Sequence, residues 1–224
     1  MSAILFDMDG TLVDSEPLWL EAEREVMESV GCTWSAEDQL ACLGGPRERT
    51  EKIMQERSNH VKPYGFFGDQ LDILMLTKLE KELQIVPNAL ELINECRVFG
   101  LKIALVTASG GTLMKTVLTN FPANFFDITI SAADVVKSKP NPEPYLMAAD
   151  KLNVRIEDCL VIEDSITGVT AGLNSGAQVI GIPHLVSMPE HKNLRIVESL
   201  SELSLSKLID WYPFLNKVKR TSHA

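Results

Sequence analysis

Cysteine and long apolar runs are scarce in this sequence, and each shortage excludes a class of protein. The chain has four cysteines in 224 residues, and none of them forms a Cys-x-x-Cys pair. The scattered spacing favours reduced thiols, with a metal site or a disulfide such as Cys32–Cys42 as the alternatives. No apolar run approaches the ~20 residues that span a bilayer. We therefore expect no membrane association.

Positive charge is also in short supply. Lysine and arginine number 21 against 31 aspartates and glutamates, which gives a formal net charge of -10. Such a surface repels nucleic acid and anionic lipid, so neither is expected as a partner. A phosphate site in this chain would need its own local positive charge, from a metal ion or a lysine. No signal peptide is indicated, and we expect a cytoplasmic monomer.

Short apolar segments alternate with amphipathic stretches through most of the chain. Continuous apolar strands separated by helices are typical of a parallel sheet covered on both faces. The sequence therefore predicts an α/β protein with a Rossmann-like, doubly wound parallel sheet. We expect strands at 3–6, 101–107, 126–131, 159–163, 177–182 and 195–197, and helices at 89–98, 113–120, 143–151 and 166–174.

One stretch, from about residue 14 to residue 84, contains helical patterns only. They predict helices over 17–30, 35–43, 47–56 and 70–83. A helical domain inserted after the first strand, above the ligand-binding edge of the sheet, makes a natural lid. We expect a catalytic core of residues 1–13 and 85–224, a helical cap of residues 14–84, and hinges at 14–15 and 84–87. The basic residues of the tail, at 217–220, are expected to be solvated.

The most informative segment is FDMDGT, which follows directly on the first strand. It places two carboxylates, Asp7 and Asp9, at the carboxyl end of a strand, where open α/β sheets bind ligands. Gly10 allows a tight turn and offers a backbone N–H to an anion. Like charges this close are costly unless a cation or a proton relieves them. Taken alone, the segment is also compatible with an ordinary turn.

Three further strand ends carry polar groups. Thr107 ends the second long strand and precedes the small residues ASGG, which expose backbone amides before a helix. Lys139 lies in the proline-rich loop KPNPEP, which restricts its position. Glu163 and Asp164 form a second acidic pair. Each has an ordinary alternative, because Thr107 can simply cap the helix and loops are commonly polar.

Together these groups predict a single site. The carboxyl ends of parallel strands meet at one edge of a sheet, so the acidic pairs, the hydroxyl and the lysine should lie close together. Oxygens of Asp7, Asp9 and Asp164 suit a small hard cation such as Mg²⁺. Thr107 and Lys139 suit the non-bridging oxygens of a phosphoryl group. The residues therefore favour metal-assisted phosphate chemistry.

This set of motifs, with its helical insertion, resembles the haloacid dehalogenase-like superfamily of phosphotransferases over nearly the whole chain. The segment DSEPLW at 14–19 resembles the group that contains β-phosphoglucomutase and 2-deoxyglucose-6-phosphate phosphatase. The resemblance implies a phosphoric monoester hydrolase with Mg²⁺ as its cofactor. It also implies a small phosphorylated metabolite, a sugar or polyol phosphate, as the substrate.

The resemblance further implies a role for each motif residue. Asp7 attacks phosphorus and forms an aspartyl-phosphate, which water then hydrolyses. Asp9 protonates the departing alkoxide and later takes a proton from the water. Mg²⁺ is held by Asp7, the backbone carbonyl of Asp9, and Asp164, while Glu163 orients a metal-bound water. The implied phosphate-binding residues are Gly10, Thr107, Ala108 and Lys139.

Other activities remain as alternatives. Sugar-phosphate mutases of this group have a cap histidine at the position that matches Trp19. Tryptophan cannot carry a proton, and the nearest histidine, His60, is far along the cap, so a hydrolase is favoured over a mutase. A phosphonate hydrolase needs a cap lysine in a recognisable context, and a dehalogenase has no use for Asp9 or Lys139. A non-enzymatic phospho-receiver or binding module is the remaining class. Receivers lack a helical insertion and place their acceptor aspartate after the third strand, where this chain has Lys139.

Substrate choice is expected to depend on the cap. Arg47 and Arg49 follow the turn LGGP between two cap helices, where they can point at the mouth of the site or into solvent. Glu16 and Trp19 lie nearer the core in sequence, and Trp19 can equally serve packing between cap and core. We take these four residues as candidate specificity determinants.

Overall fold

The computed structural model describes residues 1–183 and 187–216. The predicted basic tail at 217–220 lies outside these described residues. The strands are β1 (Ala3–Phe6), β2 (Val13–Asp14), β3 (Gln84–Ile85), β4 (Lys102–Val106), β5 (Ile128–Ile130), β6 (Cys159–Glu163), β7 (Gln178–Gly181) and β8 (Leu194–Ile196). The α-helices are α1 (Glu16–Ser29), α2 (Ala36–Cys42), α3 (Arg47–Arg57), α4 (Phe66–Glu82), α5 (Ala89–Phe99), α6 (Gly111–Leu118), α7 (Glu143–Lys151), α8 (Ile166–Ser175) and α9 (Leu205–Trp211).

Six of the strands form one parallel sheet in the order β5-β4-β1-β6-β7-β8. The predicted α/β class with a doubly wound parallel sheet is therefore confirmed. The chain runs outward from the central strand β1 first to one side and then to the other. This reversal opens a crevice at the carboxyl end of β1, which is where open sheets of this kind bind ligands.

Side-chain alternation along β1 divides the core into two layers. Ile4 and Phe6 point to one face of the sheet and belong to a large apolar cluster that continues into the helices of residues 16–82. Ala3 and Leu5 point to the other face, against α7 and α8. All four residues are fully buried, as expected for a central parallel strand.

Helices α1–α4 form a compact group above the sheet edge. Within it α4 packs against α1 and α3, and it also packs against α6 of the sheet domain. The short strands β2 and β3, which sequence analysis did not predict, pair antiparallel where this group joins the rest of the chain. They fall at the positions predicted as hinges. Among the described residues, no helix is long and apolar enough to cross a membrane.

The C-terminal segment is more ordered than the sequence suggested. No element was predicted beyond residue 197, yet α9 and the 3-10 helix Pro213–Asn216 pack onto the core. Leu208 and Leu215 are fully buried there. The oxygen of Leu200 accepts a hydrogen bond from the Asn88 side chain, which ties this segment to the start of α5.

Helix α4 begins at Phe66, four residues before its predicted start. Its N-terminus is held by a carboxylate from a neighbouring helix, because Glu51 accepts hydrogen bonds from the amides of Gly65 (2.8 Å) and Gly68 (2.7 Å). Glu51 also accepts a bond from Gln55 and is almost fully buried. A carboxylate at this position satisfies two amides that the helix itself leaves unpaired.

Replacing Glu51 by alanine removes the side-chain partner of the buried Gly68 amide and of the partly buried Gly65 amide. We expect the free energy of unfolding to fall by about 2–4 kcal/mol, measured by chemical denaturation. Glu56→Ala is the matched control on the same helix, since its exposed carboxylate lies 3.9 Å from Lys52 only. That change should alter stability by less than about 0.5 kcal/mol. Equal losses in the two variants would contradict the assigned role of Glu51.

Candidate active site

The candidate site is built around Asp7, the first residue after β1. The Asp7 amide donates a hydrogen bond to the carbonyl of Ile162 (3.0 Å), which extends the pairing of β1 with β6 by one residue. Its side chain is thereby directed into the crevice at the carboxyl edge of the sheet. The loops after β1, β4, β5 and β6 all meet at this edge, as the parallel topology requires.

Lys139 crosses beneath these loops and is almost fully buried. Its ammonium donates hydrogen bonds to Asp7 Oδ1 (2.5 Å), Glu163 Oε1 (2.6 Å) and the carbonyl of Val106 (2.8 Å). Burial alone would lower the pKa of Lys139, but the carboxylates of Asp7 and Glu163 outweigh that effect and raise it. The lysine is therefore a fixed positive charge at the floor of the site.

Glu163 is fully buried and is held from several sides. Besides Lys139, its carboxylate accepts hydrogen bonds from the hydroxyls of Tyr145 (2.5 Å) and Ser165 (3.2 Å). A Cβ atom at Gly168 would lie 1.8 Å from Glu163 Oε1, so only glycine fits there. Sequence analysis named Glu163 as a site residue but did not name Tyr145. The only indication in the sequence is that Tyr145 directly follows the loop KPNPEP.

Three carboxylates crowd this floor. Asp7, Glu163 and Asp164 each place an oxygen within 4.8 Å of the other two, and all three residues are buried. Burial, followed by the charge of Glu163, raises the pKa of Asp7 well above its ordinary value despite Lys139. Burial and then the charge of Asp7 raise the pKa of Asp164 in the same way. Three carboxylates beside a single ammonium group provide oxygen ligands and negative charge, which fits Mg²⁺.

Gly10 makes the approach of Asp164 possible. It adopts a φ of +76°, and a Cβ atom at this position would lie 2.1 Å from Asp164 Oδ2. The neighbouring Thr11 donates a hydrogen bond to Asp164 Oδ1 (3.3 Å). The glycine that the sequence marks as a turn residue therefore brings the two acidic pairs together.

Asp9 takes no part in the three-carboxylate cluster. Its carboxylate accepts hydrogen bonds from the hydroxyls of Ser15 (2.7 Å), Ser109 (2.7 Å) and Thr107 (3.3 Å). Ser15 immediately precedes α1, so Asp9 contacts the junction between the sheet domain and the helical group. Sequence analysis did not predict the contacts of Ser15 and Ser109 with Asp9, although Ser15 lies in the segment DSEPLW and Ser109 in the segment ASGG.

The loop after β4 forms the opposite wall of the site. Thr107 Oγ1 accepts a hydrogen bond from the Ser109 amide (2.9 Å), which fixes the loop before α6. Ala108 and Gly110 also line the pocket that opens above Asp7. This pocket, counted with the solvent in its open mouth, contains about 890 Å³ of space. A concave pocket with apolar walls and a few convergent polar groups is typical of a small-molecule site.

The four cap candidates separate in space. Glu16, Trp19 and Arg47 line the pocket beside Asp7 and Lys139. Arg49 does not, because its guanidinium packs over Gly45 and donates a hydrogen bond to Thr167 Oγ1 (3.4 Å) on the sheet domain. The wall formed by the helical group also contains residues that sequence analysis did not name: Glu23, Gln39, Cys42, Leu43, Thr50 and Asp72.

Comparisons with known proteins agree with this geometry. The chain is 32% identical over 212 residues to hexitol phosphatase B of Escherichia coli, covering 93% of both chains. It is 28% identical to the bifunctional riboflavin kinase/FMN phosphatase of Arabidopsis thaliana and spans 55% of that protein's length. A β-phosphoglucomutase structure from Clostridium difficile has the same fold, with a TM-score of 0.80 over 95% of this chain and 97% of that one at 21% identity.

The family resemblance inferred from the motifs is confirmed by a match to a whole-family profile. The profile is described as haloacid dehalogenase-like hydrolase, and it covers residues 4–182, which include all the strand-end motifs. The chain therefore belongs to the haloacid dehalogenase-like hydrolase family.

Proposed function

We propose that this protein is a Mg²⁺-dependent phosphatase that hydrolyses a small sugar or polyol phosphate through an aspartyl-phosphate on Asp7. One observation carries the proposal. Asp7 lines an open pocket while its carboxylate contacts the buried ammonium of Lys139 and lies in a cluster of three carboxylates. A nucleophile, a fixed positive charge and a set of metal ligands are the parts that phosphoryl transfer requires.

Lys139 has two functions in this proposal. Its contact with Asp7 Oδ1 orients that carboxylate and opposes the burial that raises the pKa of Asp7, and its charge attracts the phosphoryl group. Mg²⁺, held by Asp7, Asp164 and the backbone carbonyl of Asp9 with Glu163 beside them, would supply further neutralisation of the phosphoryl charge. Attack of Asp7 on phosphorus forms the acyl phosphate bond and breaks the bond to the ester oxygen.

Asp9 is the proposed acid and base. In its protonated form it donates a proton to the leaving ester oxygen. The resulting carboxylate then accepts a proton from the water that attacks the aspartyl-phosphate, so the carboxylic acid is restored after each cycle. Its hydrogen bonds with Ser15 and Ser109 hold it at the edge of the pocket, within the loops that surround Asp7.

The substrate class rests on the pocket and on one relative. Thr107 and Ala108 line the pocket beside Asp7 and provide a hydroxyl and an amide for one phosphoryl group, whereas the amide of Gly10 donates a hydrogen bond to the carbonyl of Val13 (2.8 Å). The relative named hexitol phosphatase B supports a polyol or sugar phosphate. The mutase alternative has less support for two reasons. Trp19 lines the pocket at the position where a mutase has a histidine, and the similarity to the β-phosphoglucomutase structure, at 21% identity, is a similarity of fold.

The helical group is proposed to act as a lid. Residues 14–84 join the core through the paired strands β2 and β3, next to Ser15 and its bond with Asp9. Closure would exclude water during the first transfer, and opening would admit it for the second.

The first prediction concerns the nucleophile and the cofactor. We expect phosphate release from hexitol and hexose phosphates that stops when Mg²⁺ is removed with EDTA and returns when Mg²⁺ is added. Asp7→Asn should lower kcat/KM by at least about 10³-fold, because the amide cannot form the acyl phosphate. Asp150→Asn, an exposed aspartate on α7, should retain full activity.

A colorimetric phosphate assay measures all these rates, and thermal unfolding verifies that each variant is folded. Full activity of Asp7→Asn, or full activity after complete removal of Mg²⁺, would contradict the proposal. No release from any phosphate ester by folded wild-type protein would also contradict it and would favour a binding function.

The second prediction separates formation of the aspartyl-phosphate from its breakdown. p-Nitrophenolate leaves without being protonated, so Asp9→Asn should still form the intermediate from p-nitrophenyl phosphate but hydrolyse it slowly. We expect a burst of about one nitrophenol per chain followed by slow turnover, recorded by stopped-flow absorbance. Asp7→Asn is the matched control and should show no burst. A linear time course at the wild-type rate in Asp9→Asn would show that Asp9 is not the acid and base.

A further inference from the structure

One face of helix α1 lines the pocket with residues that the proposed chemistry does not use. Glu16, Trp19 and Glu23 are spaced by three and four residues, so they lie on the same side of the helix. All three line the pocket, and Glu16 also lines an adjoining cavity with Asp164. We call them the α1 stripe. A substrate whose phosphoryl group is held at Asp7, as proposed, would place its leaving group beside the α1 stripe.

The two carboxyl groups of the stripe lack a cationic partner. Within residues 1–183 and 187–216, neither Glu16 nor Glu23 forms an ion pair. One oxygen of Glu23 accepts a hydrogen bond from the Trp34 indole (2.8 Å), which orients the carboxyl. Burial above all raises the pKa of Glu16 to about 8 and that of Glu23 to about 7. Above about pH 8 both groups are largely ionised, and an additional negative charge beside them is then disfavoured.

The basic groups that line this pocket are already engaged. Arg47 lines the pocket, but its guanidinium is paired with Asp69 and Asp72, the latter at 3.2 Å. Arg49 does not line this pocket; it lines the adjoining cavity and donates a hydrogen bond to Thr167. Lys139 is bound to Asp7 and Glu163 at the floor. Of the described residues that line the pocket, none offers an unpaired cation to a second anionic group on the substrate.

We infer that the α1 stripe selects a hydroxylated leaving group without a second anionic group, and that Glu16 and Glu23 are the determinants of this selection. The inference rests on the proposed phosphatase function. Carboxyl groups exchange hydrogen bonds with hydroxyls, while the ring of Trp19 offers an apolar surface to the C–H groups of a sugar or polyol. A carboxylate or second phosphate at the far end would meet two carboxyls without compensation.

Two substrates of the same configuration test the inference. Sorbitol 6-phosphate and 6-phosphogluconate differ only at carbon 1, which is a neutral hydroxymethyl group in the first and a carboxylate in the second. For wild-type protein with saturating Mg²⁺ at about pH 9, where Glu16 and Glu23 are both ionised, we expect kcat/KM to favour sorbitol 6-phosphate by at least about tenfold. Glucose 1,6-bisphosphate should likewise be disfavoured by at least about tenfold relative to glucose 6-phosphate.

The variants assign this preference to individual residues. Glu16→Gln and Glu23→Gln retain shape and polarity but cannot become negatively charged, so each should reduce the sorbitol 6-phosphate preference by at least about threefold. Glu28→Gln is the matched control, because Glu28 is an exposed glutamate on the same helix, and its ratio should equal that of wild type. Equal kcat/KM for both substrates in wild type, or unchanged ratios in both pocket variants, would overturn the inference.

A binding measurement keeps this test independent of turnover. The Asp7→Asn protein should bind sorbitol 6-phosphate more tightly than 6-phosphogluconate in isothermal titration calorimetry, again by at least about tenfold. Absence of turnover with every ester would contradict the proposed function. Equal or reversed binding affinities would contradict the inference about the α1 stripe, whether or not turnover occurs.

Discussion

The buried ammonium of Lys139 is the interaction on which the rest of the site depends. Lys139 follows β5, yet it reaches the carboxylates after β1 and at the end of β6 and the last carbonyl of β4. One side chain therefore links the four strand ends that form the site. A buried charge persists only when it is paired and hydrogen-bonded, and losing a partner commonly costs about 3–5 kcal/mol. The same contacts that satisfy this requirement fix the position of Asp7.

The charge balance around Lys139 explains the remaining architecture. Three buried carboxylates surround one ammonium group, and this excess of negative charge provides ligands for a divalent cation. Such crowding needs glycine where a side chain would collide, at Gly10 against Asp164 and at Gly168 against Glu163. Within the described part of the chain, the pocket above the three carboxylates offers no free positive charge, because its cap wall contains acidic groups and an arginine, Arg47, that is paired with Asp72. In the proposed function, a floor that holds a divalent cation would attract a phosphoryl group, and the wall would discriminate among the groups attached to it.

Much of this arrangement could be predicted from sequence, because local patterns carry it. The strand at 3–6 and the helix at 143–151 were predicted with the bounds that the structure gives, and parallel topology brought the strand-end motifs to one edge. The missed features depend on contacts between distant segments. Glu51 sets the start of α4, and Tyr145 contacts Glu163. Arg49 lies outside the pocket and donates a hydrogen bond to Thr167 on α8, and no local pattern encodes such a contact.

The central claim is that the carboxylate of Asp7 itself carries the phosphoryl group between the ester and water. The stereochemical course at phosphorus tests it most directly, using a substrate made chiral with oxygen isotopes and hydrolysed in isotopically labelled water. Each in-line displacement inverts the configuration, so two successive transfers through Asp7 predict net retention in the phosphate released. Net inversion would mean that water attacks the substrate directly, and it would contradict the account.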